Sequence, residues 1–115
     1  MPHLHLEYSA NVRSLETDKA LLRLNNALVA SGQFSDEVDI KSRAVAHEDV
    51  RVGIALAERA FVHVKLAMLS GRSAQIKQQL SASLLEALKD IVPAQPGLDT
   101  VSYTHLRAHE TVLDL

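Results

Sequence analysis

At 115 residues the chain has room for one domain with a single modest core. Its 47% apolar and 23% charged content is that of an ordinary globular chain, and a net charge of −2 gives no electrostatic basis for binding nucleic acid or an anionic membrane. The absence of cysteine excludes disulfides, thiolate nucleophiles and Cys-ligated zinc. No apolar run approaches the ~20 residues of a membrane span. The opening Met-Pro-His-Leu-His-Leu-Glu-Tyr lacks the basic n-region and apolar run of a signal peptide, so the expected location is cytoplasmic. Aromatic residues make up only 3%, which argues against stacking on bases or sugars as the basis of function.

The first element is a strand. From Pro2 to Tyr8, Leu4, Leu6 and Tyr8 face one way and His3, His5 and Glu7 the other, the period-2 pattern of a half-buried strand. Ser9-Ala10-Asn11 breaks it. From about Ser14 the period becomes helical, with Leu21, Leu24 and Leu28 in line, Leu22 and Val29 flanking them, and Gly32 where a helix would stop. Val38 to His47 reads as a second extended stretch in which Lys41 and Arg43 share a face. Residues 48–59 read as a loop or short hairpin.

The second half repeats this order. Ala60 to Met68 is a strand with Val62, Val64 and Leu66 opposite Phe61, His63 and Lys65. Ser70-Gly71-Arg72-Ser73 is a turn, with Ser73 placed to cap the helix that follows. Ile76, Leu80, Leu84, Leu88 and Ile91 trace one helical stripe, closed by Pro93, Pro96 and Gly97. The pattern predicts an α+β fold of two βαβ units, forming one sheet with two helices on one face.

Pro2 carries the chemistry if the initiator Met is removed, which would expose a free secondary amine. Free α-amines titrate at about 7.7–8.0, and burial or nearby cations lower that value towards neutrality. Such an amine can take up a proton and return it. Lys41 and Arg43 on a strand would ordinarily form a solvated face, and Arg72 in a turn would ordinarily be inert. His3, His5 and His63, and the His47-Glu48-Asp49 run, invite a metal reading. Nothing in the spacing brings them together, so packing and plain polarity account for them and no metal is expected.

The chain resembles the 5-carboxymethyl-2-hydroxymuconate Δ-isomerase family of the tautomerase superfamily. The resemblance runs over about residues 2–92. It is carried by Pro-His-Leu-His-Leu-Glu-Tyr-Ser-Ala-Asn-Val at 2–12, Ala-Ser-Gly-Gln-Phe at 30–34 and Ile-Lys-Ser-Arg at 40–43. The strongest segment is Ala-Phe-Val-His-Val-Lys-Leu-Ala-Met-Leu-Ser-Gly-Arg-Ser at 60–73. It implies a homotrimer with Pro2 as proton carrier, and Arg72, Lys41 and Arg43 as cations for a carboxylated dienol substrate. The family usually shows arginine where this chain has Lys41, and lysine lacks the planar bidentate fork. The implied reaction moves a double bond in 5-carboxymethyl-2-hydroxymuconate, from enol to keto form, during aromatic-acid breakdown. It needs no metal or organic cofactor. The alternatives are a promiscuous tautomerase on another 2-hydroxydienoate and a noncatalytic oligomeric module of the same fold.

The last fifteen residues, 101–115, stand apart from this pattern. Their first eleven resemble one reading frame of a common transposase-type sequencing adaptor, and its continuation after a variable index would supply the closing Asp-Leu. The expected organisation is an isomerase domain over 1–100 and a non-native tail over 101–115. The competing reading is a final strand, since Val101, Tyr103 and His105 alternate with Ser102, Thr104 and Leu106. His105 and His109, spaced i, i+4, are not taken as a metal site.

Overall fold

The alternation at the amino terminus becomes strand β1, His3–Ser9, in a computed structural model that describes residues 2–69, 71–92, 98–104 and 110–113. Helix α1 spans Thr17–Ala30, a single 3-10 turn covers Glu37–Asp39, and β2 runs Lys41–His47. Strand β3 is Ala60–Leu69, α2 is Ala74–Ile91, β4 is Leu98–Thr104 and β5 is Glu110–Leu113.

The sheet order is β2-β1-β3-β4, with β5 also paired to β3. β1 pairs β2 in parallel and β3 pairs β4 in parallel, while β1 and β3 meet antiparallel. The two βαβ units read from the sequence are therefore real and join through β1 and β3. β4 lies against Ala60–Lys65, and β5 continues along the same strand against Leu66–Leu69.

The core lies on one face of this sheet. Leu4, Leu6, Val62, Val64 and Leu66 meet Ala20, Leu24 and Leu28 of α1 and Leu80, Leu84 and Leu88 of α2, all of them buried. Fully burying a Leu or Val contributes about 1.5–3 kcal/mol, so these facing rows hold both helices to the sheet. The predicted α1 stripe is correct at Leu24 and Leu28, whereas Leu22 and Val29 point to solvent. Ser73 caps α2 as expected, accepting from the Ile76 N–H at 3.2 Å.

Two boundaries depart from the sequence reading, the starts of α1 and β2. α1 begins at Thr17 because Ser14 sits at φ +60°, outside the helical region. It ends where Gly32 turns left-handed at φ +75°, as its position suggested. The extended stretch expected from Val38 begins only at Lys41. The Asp36 carboxylate accepts from the Val38 N–H, and the Asp39 N–H donates to the Asp36 carbonyl, folding 37–39 into a turn. Residues 48–59 form an irregular loop, with the Ile54 and Leu56 side chains exposed. Met1, Pro93, Pro96, Gly97, His105 and His109 lie outside the described residues.

Candidate active site

Pro2 enters β1 as a residue that needs no ladder donor, and it is buried. Its carbonyl accepts from the Lys41 N–H at 3.0 Å, which ties the start of β1 to the start of β2. Alternation places Pro2 on the same sheet face as Leu4 and Leu6, beneath the helices.

Arg72 reaches that point from the other βαβ unit. Gly71 adopts φ +111°, a conformation that a side-chain-bearing residue rarely takes, and so lets the chain leave β3 for α2. The Arg72 Nη2 donates to the Gln33 carbonyl at 2.9 Å, and its guanidinium lies 4.9 Å from the centre of the Phe34 ring. Gln33 and Phe34 belong to the 30–34 segment just past the turn of α1. The stop of one helix thus holds the arginine that precedes the other.

Pro2, Gln33, Phe34, Ser35, Asp39, Met68 and Arg72 line one half-open cavity of about 140 Å³. It offers a cation, a carboxylate, a hydroxyl and an aromatic wall around Pro2. A larger hollow of about 280 Å³ lies at the 48–59 loop, lined by Asn11, Glu48, Arg51, Glu58 and Arg59 among others. None of the expected site residues reaches that hollow, so the smaller cavity is the candidate site.

Within one chain, Lys41 and Arg43 do not line the Pro2 cavity. The Lys41 Nζ donates to the Val38 carbonyl in the 3-10 turn. Arg43 stands on the sheet face away from the helices, in register with His5. Its Nη1 lies 3.3 Å from the His5 Nε2 and its Nη2 lies 3.1 Å from the His3 Nδ1. A guanidinium only donates, so the ring nitrogens that face it are the accepting ones in this arrangement. Burial, then the charges of Arg43 and Lys65, lowers the His5 pKa below its ordinary value. On the same face the Glu7 carboxylate lies 3.6 Å from His47 and 3.7 Å from His63. Among the described residues no group of three or more His, Cys, Asp or Glu is arranged to hold a metal ion.

Gln33, Phe34, Ser35, Asp39 and Met68 were not singled out by the sequence reading. Asp39 comes into view only with the strand pairing: β1 and β2 are parallel with His3 opposite Lys41, which brings the residues just before β2 near Pro2. Gln33 and Phe34 left only their place in the 30–34 segment.

Two βαβ units joined into one sheet, with Pro2 and Arg72 lining one cavity, form the frame of this chain, which the family match assigns to the isomerases of the tautomerase superfamily. The family of 5-carboxymethyl-2-hydroxymuconate isomerases matches residues 2–100, and the chain belongs to that family. It is similar to the crystal structure of a 5-carboxymethyl-2-hydroxymuconate isomerase from Deinococcus radiodurans R1. The TM-score is 0.81 at 30% identity, covering 88% of this chain and 78% of that one. A crystal structure of a 5-carboxymethyl-2-hydroxymuconate delta-isomerase superposes with TM-score 0.62 at 19% identity, over 95% and 85% of the two chains. A fused 4-OT described as a wild-type symmetric trimer shares the fold with TM-score 0.62 at 19% identity, over 87% and 82%. No curated protein sequence matches the chain at a significant level.

Proposed function

We propose that the protein is a cofactor-independent isomerase that converts 5-carboxymethyl-2-hydroxymuconate from enol to keto form by proton transfer through the Pro2 amine. The observation that carries this reading is the shared cavity, which a buried Pro2 and Arg72 both line. Removal of Met1 leaves Pro2 with a basic secondary amine. Arg72 binds a substrate carboxylate or meets the charge developing on the 2-oxygen. The amine takes the proton of the 2-hydroxyl and delivers it to carbon as the double bond moves. Conversion of the dienol, followed by ultraviolet absorbance, tests the assignment, and intact mass shows whether Met1 is gone. No turnover on any carboxylated 2-hydroxydienoate, with Met1 retained, would leave a noncatalytic module.

A broader tautomerase acting on another 2-hydroxydienoate is the second reading, favoured by Lys41 standing where the family usually has arginine. A substrate panel separates the two. We further propose a homotrimer, since Lys41 and Arg43 can serve as substrate cations only if they meet a site other than their own chain's cavity. The fold-related fused 4-OT is described as a symmetric trimer. Among the described residues no helix is long and apolar enough to cross a membrane, which is compatible with the proposed cytoplasmic location. An adaptor origin for 101–115 is supported by the family match ending at residue 100. β4 runs through that boundary to Thr104. The native gene beyond Thr100 tests the origin of the tail.

A further inference from the structure

We infer that Asp39 is a positioning residue for the Pro2 amine, its carboxylate accepting an N–H from that amine and stabilising the charged form made during turnover. The inference rests on the role proposed for Pro2 and adds a residue that neither the sequence reading nor the family comparison assigns.

Asp39 shares the Pro2 cavity and is not a loose surface acid. Its turn is fixed from within by the Asp39 N–H to Asp36 carbonyl and Ile40 N–H to Glu37 carbonyl bonds, each 3.1 Å. The Ile40 side chain anchors it in the core, and Lys41 Nζ holds the Val38 carbonyl. One residue past Ile40, the Lys41 N–H bonds the Pro2 carbonyl at 3.0 Å. The turn carrying Asp39 is thus locked to the residue it is proposed to serve.

A carboxylate lining a cavity for a polyanionic substrate repels that substrate in the ground state. Its presence makes chemical sense if it serves a group that becomes positive. A terminal proline amine has one N–H and one lone pair. If Asp39 accepts the N–H, the lone pair is left directed at the substrate. As the 2-hydroxyl O–H bond breaks, a new N–H bond forms and the released electron pair becomes the carbonyl π bond. The prolinium then carries two N–H groups, one held by Asp39. The other breaks as the shifting π electrons form the new C–H bond, and the neutral amine returns. Asp39 only accepts the N–H and takes no proton in either step, in the manner of a carboxylate that orients a catalytic base.

Among the described residues, Asp39 from the 3-10 turn and Arg72 from the segment before α2 line the amine's cavity with charges of opposite sign. Gln33, Phe34, Ser35 and Met68 are neutral. Lys41 is engaged at Val38, and His3 faces the other side of the sheet with Arg43. Arg72 favours the free amine and Asp39 favours the protonated one, so their removal should move its titration in opposite directions.

The test follows the ¹⁵N-labelled Pro2 amine by NMR against pH in the wild type, Asp39→Asn, Asp39→Ser and Asp39→Glu, with circular dichroism confirming the fold. Kinetics on 5-carboxymethyl-2-hydroxymuconate run alongside. We expect the amine to titrate about one pH unit or more lower in both neutral variants. kcat should fall about tenfold or more, within the range of general-base effects, without a rise in KM, and Asp39→Glu should restore part of both. An unmoved titration overturns the inference. So does a raised KM with unchanged kcat, which would make Asp39 a residue that merely orients Arg72. Full turnover in Pro2→Ala, or a retained Met1 in active enzyme, instead overturns the role of Pro2 itself, and this inference with it.

Discussion

The Arg72 Nη2 donates to the Gln33 carbonyl at 2.9 Å, joining the turn after α1 to the turn before α2. This bond crosses between the two βαβ units and points the guanidinium at the cavity that holds Pro2. A guanidinium carries its five N–H donors in a planar fork, a geometry suited to a carboxylate.

Arg72→Ala should therefore lose roughly ten- to a hundredfold in kcat/KM, since hydrogen bonds to charged groups are worth about 1.5–3 kcal/mol. A rise in KM alone would assign Arg72 to uniform substrate binding. A fall in kcat as well would place it at the charge developing on the 2-oxygen. Steady-state kinetics on a dicarboxylated dienol separate the two, and wild-type constants would leave Arg72 as a structural bridge only.

Pro2→Ala removes the secondary amine from a site whose surroundings otherwise stay intact. Turnover should drop by about 10²–10⁴-fold, the usual contribution of a general base, with an unchanged circular dichroism spectrum. Activity retained with a blocking amino-terminal tag would contradict the assignment.

Replacing Gly71 by Ala tests the turn that delivers Arg72. Apart from its chain neighbours, no described residue comes within 4 Å of the added Cβ, so the penalty is torsional, from φ +111°. A non-glycine residue there costs on the order of 1–3 kcal/mol. Denaturant midpoints should fall accordingly, and KM should rise as Arg72 shifts. Wild-type values for both would show that the turn relaxes without moving the arginine.

Acid should weaken the fold through His5. Its pKa is lowered from an ordinary 6.5 in the folded chain, by burial first and then by Arg43 and Lys65. The unfolded chain therefore binds the proton more readily. The stability tied to neutral His5 is complete above about 6.5 and is lost as pH falls through its lowered folded value. Urea midpoints measured from pH 8 down to pH 5 should decline through that window, and His5→Gln should flatten the decline. An equal slope in both proteins would assign the effect to other groups.

Core substitution gives a control on packing. Leu84 lies on the buried face of α2, and Leu84→Ala should destabilise by about 2–5 kcal/mol. A much smaller loss in urea unfolding would mean that α2 closes over the space.

β1, α1, β3 and α2 were legible in the sequence because their signals are local, whereas β4, Leu98–Thr104, overlaps a stretch that read as a strand only in the reading that competed with an adaptor tail. Leu4 and Leu6 alternate with His3 and His5 at a period that only a one-sided strand satisfies, and Leu80, Leu84 and Leu88 recur at the spacing of one helix face. Gly32 and Ser73 marked a helix stop and start because each offers a backbone or side-chain option that most residues lack. The sequence by itself also singled out Pro2 and Arg72. Tertiary structure alone decided that these two share a cavity, because the antiparallel meeting of β1 and β3 sets which strand ends coincide. It alone turned Arg43 towards His3 and His5, since strand parity assigns it to the face opposite Pro2. Asp39 entered the site for the same nonlocal reason: its sequence neighbours make a turn, but only the parallel pairing of β2 with β1 carries that turn to Pro2.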